Sequence, residues 1–227
     1  MRVFLLACAL SAIGVSAASA AELDTVLSNM DRTAAEFRGM TADVEWVKFT
    51  ALVDDKAVEK GVMAVRRAES GGVDLKIDFK EPYPYHLLVK GTDVQIWRPK
   101  INTVEEYDLS KSREKLEQAL LLGFGVSGSF LNENYDVTLA GEESVAGRET
   151  VKLALAPKEP SMRKSIPKLE MWVSTEDWQP VQQKLYEEGP GDYRLYVYSN
   201  IERNPSLKSD AFKLDIPKRA KRVKPQS

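Results

Sequence analysis

Few side chains in this sequence are suited to metal binding or nucleophilic catalysis. The 227 residues contain one histidine, His86, and one cysteine, Cys8. A structural zinc site takes four nitrogen or sulfur ligands and a catalytic site usually three, so these two side chains cannot build a conventional zinc site. The Gly-x-Ser-x-Gly elbow of serine hydrolases is absent. We therefore predict that the protein binds no metal and no cofactor.

Three carboxylate pairs are the remaining candidates for catalysis: Glu105-Glu106, Glu142-Glu143 and Glu187-Glu188. Adjacent residues of a strand point to opposite faces of the sheet, so the members of each pair would not share a proton. The sequence thus predicts that the protein is not an enzyme. An envelope hydrolase remains an alternative, and it would need a serine or carboxylate site clustered near His86.

A glycine-rich segment matches the G-x-G-x-x-G pattern through Gly123, Gly125 and Gly128. Dinucleotide-binding sites place this pattern between a strand and a helix, whereas these glycines follow a predicted helix. Glycine permits unusual backbone dihedrals and weakens a helix by about 1 kcal/mol. The three glycines are therefore interpreted as the hinge of a mobile lid.

The first 20 residues have the layout of a secretory signal peptide. A positive start at Arg2 precedes an apolar run, and Ala18-Ser19-Ala20 provides the small residues of a cleavage site. We predict cleavage after Ala20 and a mature protein in the periplasm. Leu5-Leu6-Ala7-Cys8 resembles a lipobox, but the seven residues before Cys8 are too few for the positive and apolar regions of a lipoprotein signal.

The composition is that of a folded domain with a basic end. Without residues 1–20 the chain carries 31 basic and 34 acidic residues, and five of the basic ones lie in residues 218–227. The body, residues 21–217, is predicted to be one domain with a net charge of −8. The last ten residues are predicted to be a disordered tail. Contact of this tail with anionic lipid headgroups is an alternative.

Alternating apolar residues predict a mainly β protein with two helical parts. The spacing of Leu23, Val26, Met30 and Phe37 predicts a helix over Glu22–Arg38. Short connections favour antiparallel neighbours and a large, incompletely closed barrel. About eleven strands are predicted: Thr41–Thr50, Gly61–Ala68, Val73–Phe79, Tyr85–Lys90, Asp93–Arg98, Thr103–Leu109, Tyr135–Ala140, Glu149–Ala156, Lys168–Ser174, Val181–Glu187 and Tyr193–Ile201. A last short element is expected at Ala211–Ile216.

One segment interrupts the strands and is interpreted as a lid. A helix is predicted to begin at Ser110, and the apolar segment continues to Leu131. A lid that also includes the Glu22–Arg38 helix is an alternative. So large a sheet has few helices to cover its apolar face, which favours a cavity that takes an apolar ligand. An ordinary sheet core is the alternative for the same apolar residues.

Several local patterns, in this order along the chain, resemble the LolA-like family of periplasmic lipoprotein and lipid carriers. Gly61–Arg67 is similar to the family's strand that begins with glycine and ends with arginine. Gly91–Pro99, which includes Trp97, is similar to a hairpin of the family. Asp210–Pro217 is similar to the pattern that closes the family's domain. The resemblance covers essentially the whole mature chain. It implies an open antiparallel barrel lined with apolar side chains and covered by helices.

The resemblance also implies a function and a role for one arginine. Family members carry acylated lipoproteins from an inner-membrane releasing transporter to an outer-membrane acceptor. A strand arginine of the family hydrogen-bonds the lid backbone, and Arg67 is the matching position here. We therefore expect a monomeric carrier with no nucleic-acid partner and with Arg67 as the lid latch. The expected cavity residues are Trp46, Met63, Val65, Leu75, Ile77, Phe79, Leu116, Leu120 and Phe124. A sensor of the same fold that binds a signalling partner, or an accessory lipid-binding partner of an exporter, is the alternative.

Overall fold

A computed structural model describes residues 14–68, 72–112, 122 and 124–225 of the chain. In this part of the chain twelve strands form one sheet that is not closed into a barrel. The strands are β1 (Gly39–Thr50), β2 (Asp55–Arg67), β3 (Val73–Glu81), β4 (Tyr85–Lys90), β5 (Asp93–Arg98), β6 (Thr103–Asp108), β7 (Tyr135–Val145), β8 (Arg148–Pro157), β9 (Lys168–Ser174), β10 (Pro180–Tyr186), β11 (Tyr193–Arg203) and β12 (Lys221–Val223).

Two antiparallel meanders meet at the centre of this sheet. The strand order is β12-β6-β5-β4-β3-β2-β1-β11-β10-β9-β8-β7, so β1 pairs with both β2 and β11. Within each meander, β1 to β6 and β7 to β11, consecutive strands pair with each other because their connections are too short for a crossover. The prediction of a mainly β, incompletely closed antiparallel barrel is confirmed.

The end of the chain differs from the predicted disordered tail. Lys221–Val223 forms β12 and pairs in parallel with Thr103–Glu105 at the edge of β6. The amide of Lys221 donates to the carbonyl of Asn102 at 2.9 Å, and Arg222 forms an ion pair with Glu106. A strand edge offers unpaired backbone groups, and this chain uses its own end to pair them. Charge content alone gave no sign of that pairing.

The element expected at Ala211–Ile216 is also different in the structure. A short 3₁₀ helix covers Ser209–Phe212, and no regular element follows it before β12. Phe212 is fully buried, and the guanidinium of Arg66 lies 4.4 Å from the centre of its ring. This contact fixes the C-terminal segment on the sheet.

Three α-helices accompany the sheet in the described residues: α1 (Gly14–Glu36), α2 (Gly128–Asn134) and α3 (Pro160–Ser165). The predicted stripe of α1 is largely confirmed, because Val26, Met30 and Phe37 are buried. Helix α3 was not predicted, although proline lies in its first turn and the carboxylate of Glu159 accepts from two amides there. None of the described helices has the length and apolar character needed to cross a membrane.

Helix α1 packs on one face of the sheet, here called the helix face; the opposite side is the outer face. Two apolar clusters lie on the helix face. The first joins α1, α2 and the segment before it to β7, β8 and β9, through residues such as Met30, Leu131, Leu153 and Met171. The second joins Phe37 and Phe124 to β1, β2, β3, β4 and β11. Both clusters are therefore covered by the same two segments of chain.

A buried carboxylate organises the outer face of the second meander. Glu170 on β9 accepts from Lys168 at 2.7 Å and from the hydroxyl of Tyr186 at 3.0 Å, and the ammonium of Lys152 lies 3.4 Å away. Burial alone would raise the pKa of the Glu170 carboxyl. The hydrogen bonds from Lys168 and Tyr186 and the charges of both lysines outweigh burial and lower that pKa.

We predict a pH-dependent contribution of Glu170 to stability. A lowered pKa means that this contribution is present above the ordinary glutamate value and is lost as the pH falls through the lowered value. The unfolding free energy of the parent protein should exceed that of Glu170→Gln at about pH 6, and the difference should shrink by about pH 3. Denaturant unfolding at both pH values measures it. Glu142→Gln, at an exposed position of β7, is the control; a difference for Glu170→Gln that does not change with pH would contradict the prediction.

Candidate functional site

The predicted cavity residues of β2 and β3 lie together on the helix face. Met63 is opposite Ile77 and Val65 is opposite Leu75 in the antiparallel ladder. Side chains at alternate positions of paired strands share a face, so the apolar alternation predicted this arrangement correctly. With Phe79 these side chains are at most 3% exposed. Phe124 and the half-buried Trp46 belong to the same cluster, whereas Leu116 and Leu120 lie outside the described residues.

An aromatic group forms one end of this cluster. The ring of Trp46 lies 4.9 Å from that of Phe79 and 5.3 Å from that of Tyr196, with edge-to-face geometry in both pairs. Phe79 also stacks on Tyr85 at 4.4 Å. Trp46, Tyr85 and Tyr196 are only partly buried. The helix face thus ends in a partly exposed aromatic rim.

The segment before α2 covers the middle of the helix face. The ring of Phe124 packs on the edge of Tyr198 at 5.4 Å, and burial raises the pKa of the Tyr198 hydroxyl strongly. The amide of Gln183 on β10 donates to the carbonyl of Leu122. These contacts hold the segment on the sheet through both apolar packing and a buried hydrogen bond.

Two of the predicted hinge glycines lie at places of very close approach. A Cβ atom on Gly128 would lie 2.1 Å from the backbone oxygen of Leu27 in α1. A Cβ on Gly125 would lie 2.6 Å from the ring of Phe37, and Gly125 has a φ of +68°. Gly123 lies outside the described residues. In this state the two glycines allow the segment to pack against α1, and the hinge role stays a prediction.

Helices α1 and α2 are also joined by polar contacts. Both the amide and the hydroxyl of Ser129 donate to the carboxylate of Asp31, at 2.9 and 2.8 Å. The hydroxyl of Ser127 accepts from the amide of Phe130 and caps α2. We call α1 together with residues 124–134 the cover. Its two parts are linked by backbone contact, apolar packing and hydrogen bonds, so they are expected to move together.

Arg67 contacts the end of α1. Its Nε donates to the carbonyl of Phe37 at 3.0 Å, and one Nη donates to the carbonyl of Ala34 at 3.1 Å. Arg67 was expected to bond the backbone of the lid, and the lid was placed mainly at Ser110–Leu131. Among the described residues its backbone partners are Ala34 of the N-terminal helix and Phe37 directly after it. A cation at this position satisfies carbonyls that a helix leaves unpaired and complements the negative end of the helix dipole.

Sequence reasoning missed two further residues at the same helix end. Arg203 donates to the carbonyl of Thr33 at 2.8 Å, and the Asn204 side chain donates to the carbonyl of Glu36 at 3.0 Å. Asn204 also accepts from the amide of Arg38 at 2.7 Å. The sequence signal for this contact was weak. Asparagine adopts left-handed backbone conformations more often than most residues, and Asn204, directly after β11, has a φ of 50°. We call Arg67, Arg203 and Asn204 the α1 clamp.

An open cavity of about 420 Å³ lies on the outer face rather than the helix face. The C-terminal segment contributes Leu207 and Ala211 to its lining, and the sheet contributes charged residues that include Lys76 and Asp78. His86 borders this region, because its Nδ1 lies 2.7 Å from the carboxylate of Asp78. The part of the chain that the structure describes holds no group of three His, Cys, Asp or Glu side chains arranged for a metal ion.

Comparison with known proteins identifies the family of the chain. A family model described as "uncharacterized protein" matches residues 86–209, which is more than half of the sequence. The chain belongs to this family. No curated protein matches its sequence.

Solved structures with the same fold share little sequence with this chain. MucB is 14% identical with a TM-score of 0.56 over 86% of this chain, and this chain spans 63% of the length of MucB. MucB is also known in the MucA/MucB complex of Pseudomonas aeruginosa, where the TM-score is 0.51 at 15% identity, over 85% of this chain and 61% of that one.

Two further structures align along nearly their whole length. An uncharacterized conserved protein from Thermus thermophilus is 12% identical with a TM-score of 0.54, over 90% of this chain and 99% of that one. LprF from Mycobacterium bovis is 13% identical with a TM-score of 0.50, over 88% of this chain and 98% of that one. These are LolA-like folds, so the expected resemblance is confirmed at the level of fold.

The contact between Gly128 and α1 generates a prediction. Gly128→Ala should destabilise the protein by about 1–3 kcal/mol, because the new methyl group would overlap the backbone of Leu27. Gly91→Ala is the matched control, since Gly91 has a φ of +58° with no atom within 4 Å of a Cβ and tests the cost of backbone conformation alone, about 1 kcal/mol. Denaturant unfolding measures both variants. A smaller loss for Gly128→Ala than for Gly91→Ala would mean that residues 124–134 do not pack on α1 as described.

Proposed function

We propose that this protein is a periplasmic carrier that shields the acyl chains of lipoproteins or envelope lipids during transfer from the inner to the outer membrane. The acyl chain would lie on the helix face after the cover has moved away from it. Release from an inner-membrane transporter and delivery to an outer-membrane acceptor would be the two ends of the transfer. The carrier would act as a monomer and would catalyse no covalent reaction.

The observation that carries this proposal is the α1 clamp beside the apolar cluster of β1, β2 and β3 on the helix face. The LolA-like resemblance implies a strand arginine that bonds the lid backbone, and Arg67 donates to two carbonyls of α1 and its link to β1. Arg67 follows Met63 and Val65 on the same face of β2, so the latch and the apolar surface share one strand. A movable cover, a latch and an apolar surface are the parts that such a carrier needs.

The energetics favour reversible exchange of the cover for cargo. Each acyl methylene that leaves water contributes about 0.8 kcal/mol, so one acyl chain gives a strong complex. The helix face is already covered by α1 and Phe124, and the cargo must therefore compete with the packing of the cover. A partner that binds the open form better than the closed form would shift this balance toward uptake or release.

Native mass spectrometry of protein purified gently from its own cell envelope tests the proposal. A co-purifying acylated lipoprotein or lipid that leaves under denaturing conditions is the expected result, and it would also identify the cargo. A bare polypeptide mass, together with no binding of palmitoyl lysophospholipid in solution, would overturn the carrier function.

We predict that Arg67→Leu shifts the balance toward the open, cargo-bound form. Loss of two hydrogen bonds from an exposed guanidinium should weaken the closed state by about 1 kcal/mol, which raises the affinity for palmitoyl lysophospholipid about fivefold. Fluorescence displacement measures that affinity. Lys60→Leu removes an exposed cation from the same strand and is the control. An affinity that stays at the parent value in Arg67→Leu would remove the latch role.

A regulatory binding module is the second candidate, and the similarity to MucB favours it. The MucA/MucB complex of Pseudomonas aeruginosa shows a protein of this fold bound to a protein partner. This chain aligns with 61% of the MucB chain in that complex. Under this alternative the helix face would bind a partner protein, and affinity purification would recover a stoichiometric polypeptide without acyl groups.

A further inference from the structure

We propose that one end of the sheet is a docking surface for an anionic lipid bilayer. This surface, the basic edge, consists of Tyr83, Lys100, Ile101, Lys218, Arg219 and Lys221. The proposal goes beyond the carrier function, because it concerns where the protein binds rather than what it carries.

The most exposed large apolar side chains of the described residues all lie at one end of the sheet. They are Leu52 and Val53, Tyr83 and Ile101, with exposed fractions from 61 to 91%. Antiparallel pairing of β1 to β6 places the β1–β2, β3–β4 and β5–β6 turns at the same end. Exposed apolar side chains scattered over a surface need no explanation, but their restriction to the turns of one end indicates an interaction site.

Two of these turns are in direct contact. The ammonium of Lys100 in the β5–β6 turn lies 5.1 Å from the ring centre of Tyr83 in the β3–β4 turn. Ile101 is the next residue and is 61% exposed. The contact places an aromatic ring, an aliphatic side chain and a cation side by side at the surface.

The C-terminal segment adds cations to the same place. The side-chain amide of Asn102, next to Ile101, donates to the carbonyl of Arg219 at 3.4 Å, and the backbone carbonyl of Asn102 accepts from the backbone amide of Lys221. Lys218, Arg219 and Lys221 are all exposed. The pairing of β12 with β6 therefore fixes the basic end of the chain beside the apolar turn tips.

The carboxylates nearby leave the basic edge positive. Glu105 and Glu106 on β6 are paired with Arg98 and Arg222. Glu81 at the β3–β4 turn and Asp215 before Lys218 are exposed. Four cations of the basic edge outnumber these two carboxylates, although the body of the protein is acidic.

The combination of exposed apolar side chains and cations at the basic edge fits the surface of an anionic bilayer. Tyrosine and aliphatic side chains enter the headgroup region, and lysine and arginine are attracted to its negative potential. The β1–β2 tip is unlike the basic edge, because Leu52 and Val53 are followed by Asp54 and Asp55. We therefore exclude that tip from the docking surface.

Cosedimentation of the mature protein with vesicles tests the proposal. We expect binding to vesicles that contain phosphatidylglycerol, at least tenfold weaker binding to pure phosphatidylcholine, and a decrease with added salt. Combined Lys100→Glu and Ile101→Asp substitutions should reduce binding to phosphatidylglycerol vesicles at least tenfold. Their positions are exposed, and unfolding midpoints equal to the parent's would verify the fold.

Matched controls separate the basic edge from net charge and from acyl-chain capture. Lys56→Glu with Leu52→Asp makes the same changes at the β1–β2 hairpin and should alter vesicle binding less than twofold. Capture of vesicle lipid on the helix face would instead increase in Arg67→Leu and would not respond to the Lys100→Glu and Ile101→Asp substitutions. Equal losses in both double variants, equal binding to both vesicle types, or no vesicle binding by the parent would overturn the proposal.

Discussion

The structure depends on covering one apolar face of a very wide sheet. The twelve strands form one open sheet, and the apolar side chains of its helix face form two clusters that must be kept from water. Residues 124–134 contribute to both apolar clusters of that face, and helix α1 covers the first cluster while Phe37, directly after the helix, belongs to the second. The free energy of the fold and access to the helix face are thus set by the same contacts, since whatever opens the site must first expose this surface.

The clamp at the end of α1 explains how such a cover stays in place. Only Phe37 and Arg38 separate α1 from β1, so the helix can change its angle to the sheet mainly at this link. Arg67, Arg203 and Asn204 bind the carbonyls of its last turn and of the link. These hydrogen bonds resist a change in the angle between α1 and the sheet, although they bury little surface.

Local alternation and turn residues predicted the strands well, because they report which face of a strand is buried. Tyr85–Lys90, Asp93–Arg98 and Lys168–Ser174 agree with the predicted bounds residue for residue. The apolar neighbours Met63, Val65, Leu75 and Ile77 were grouped correctly for the same reason. The expectation that Arg67 bonds the backbone of a lid came only from the family resemblance, and neither alternation nor turn residues indicated it.

Contacts between segments far apart in sequence could not be predicted in this way. The pairing of β12 with β6 joins residues more than 110 positions apart, and nothing local in a basic tail indicates an edge partner. Arg203 and Asn204 reach α1 from the far end of β11, so their role depends on the β1–β11 pairing. Gly128 was interpreted as a hinge from its neighbours in sequence. In the fold, the backbone of Leu27 lies so close to Gly128 that it leaves no space for a side chain.

Quenching of individual tryptophans by a brominated acyl chain tests the central claim most directly. Trp46 lies at the rim of the helix face, whereas Trp172 lies on the outer face and donates to Glu143 at 2.6 Å. Two single-tryptophan variants, each with the other three tryptophans changed to phenylalanine, would be titrated with a brominated palmitoyl-type lysophospholipid. The account predicts saturable quenching of Trp46 and unchanged emission from Trp172. Binding that quenches Trp172 and leaves Trp46 unaffected would place the ligand on the outer face and contradict the account.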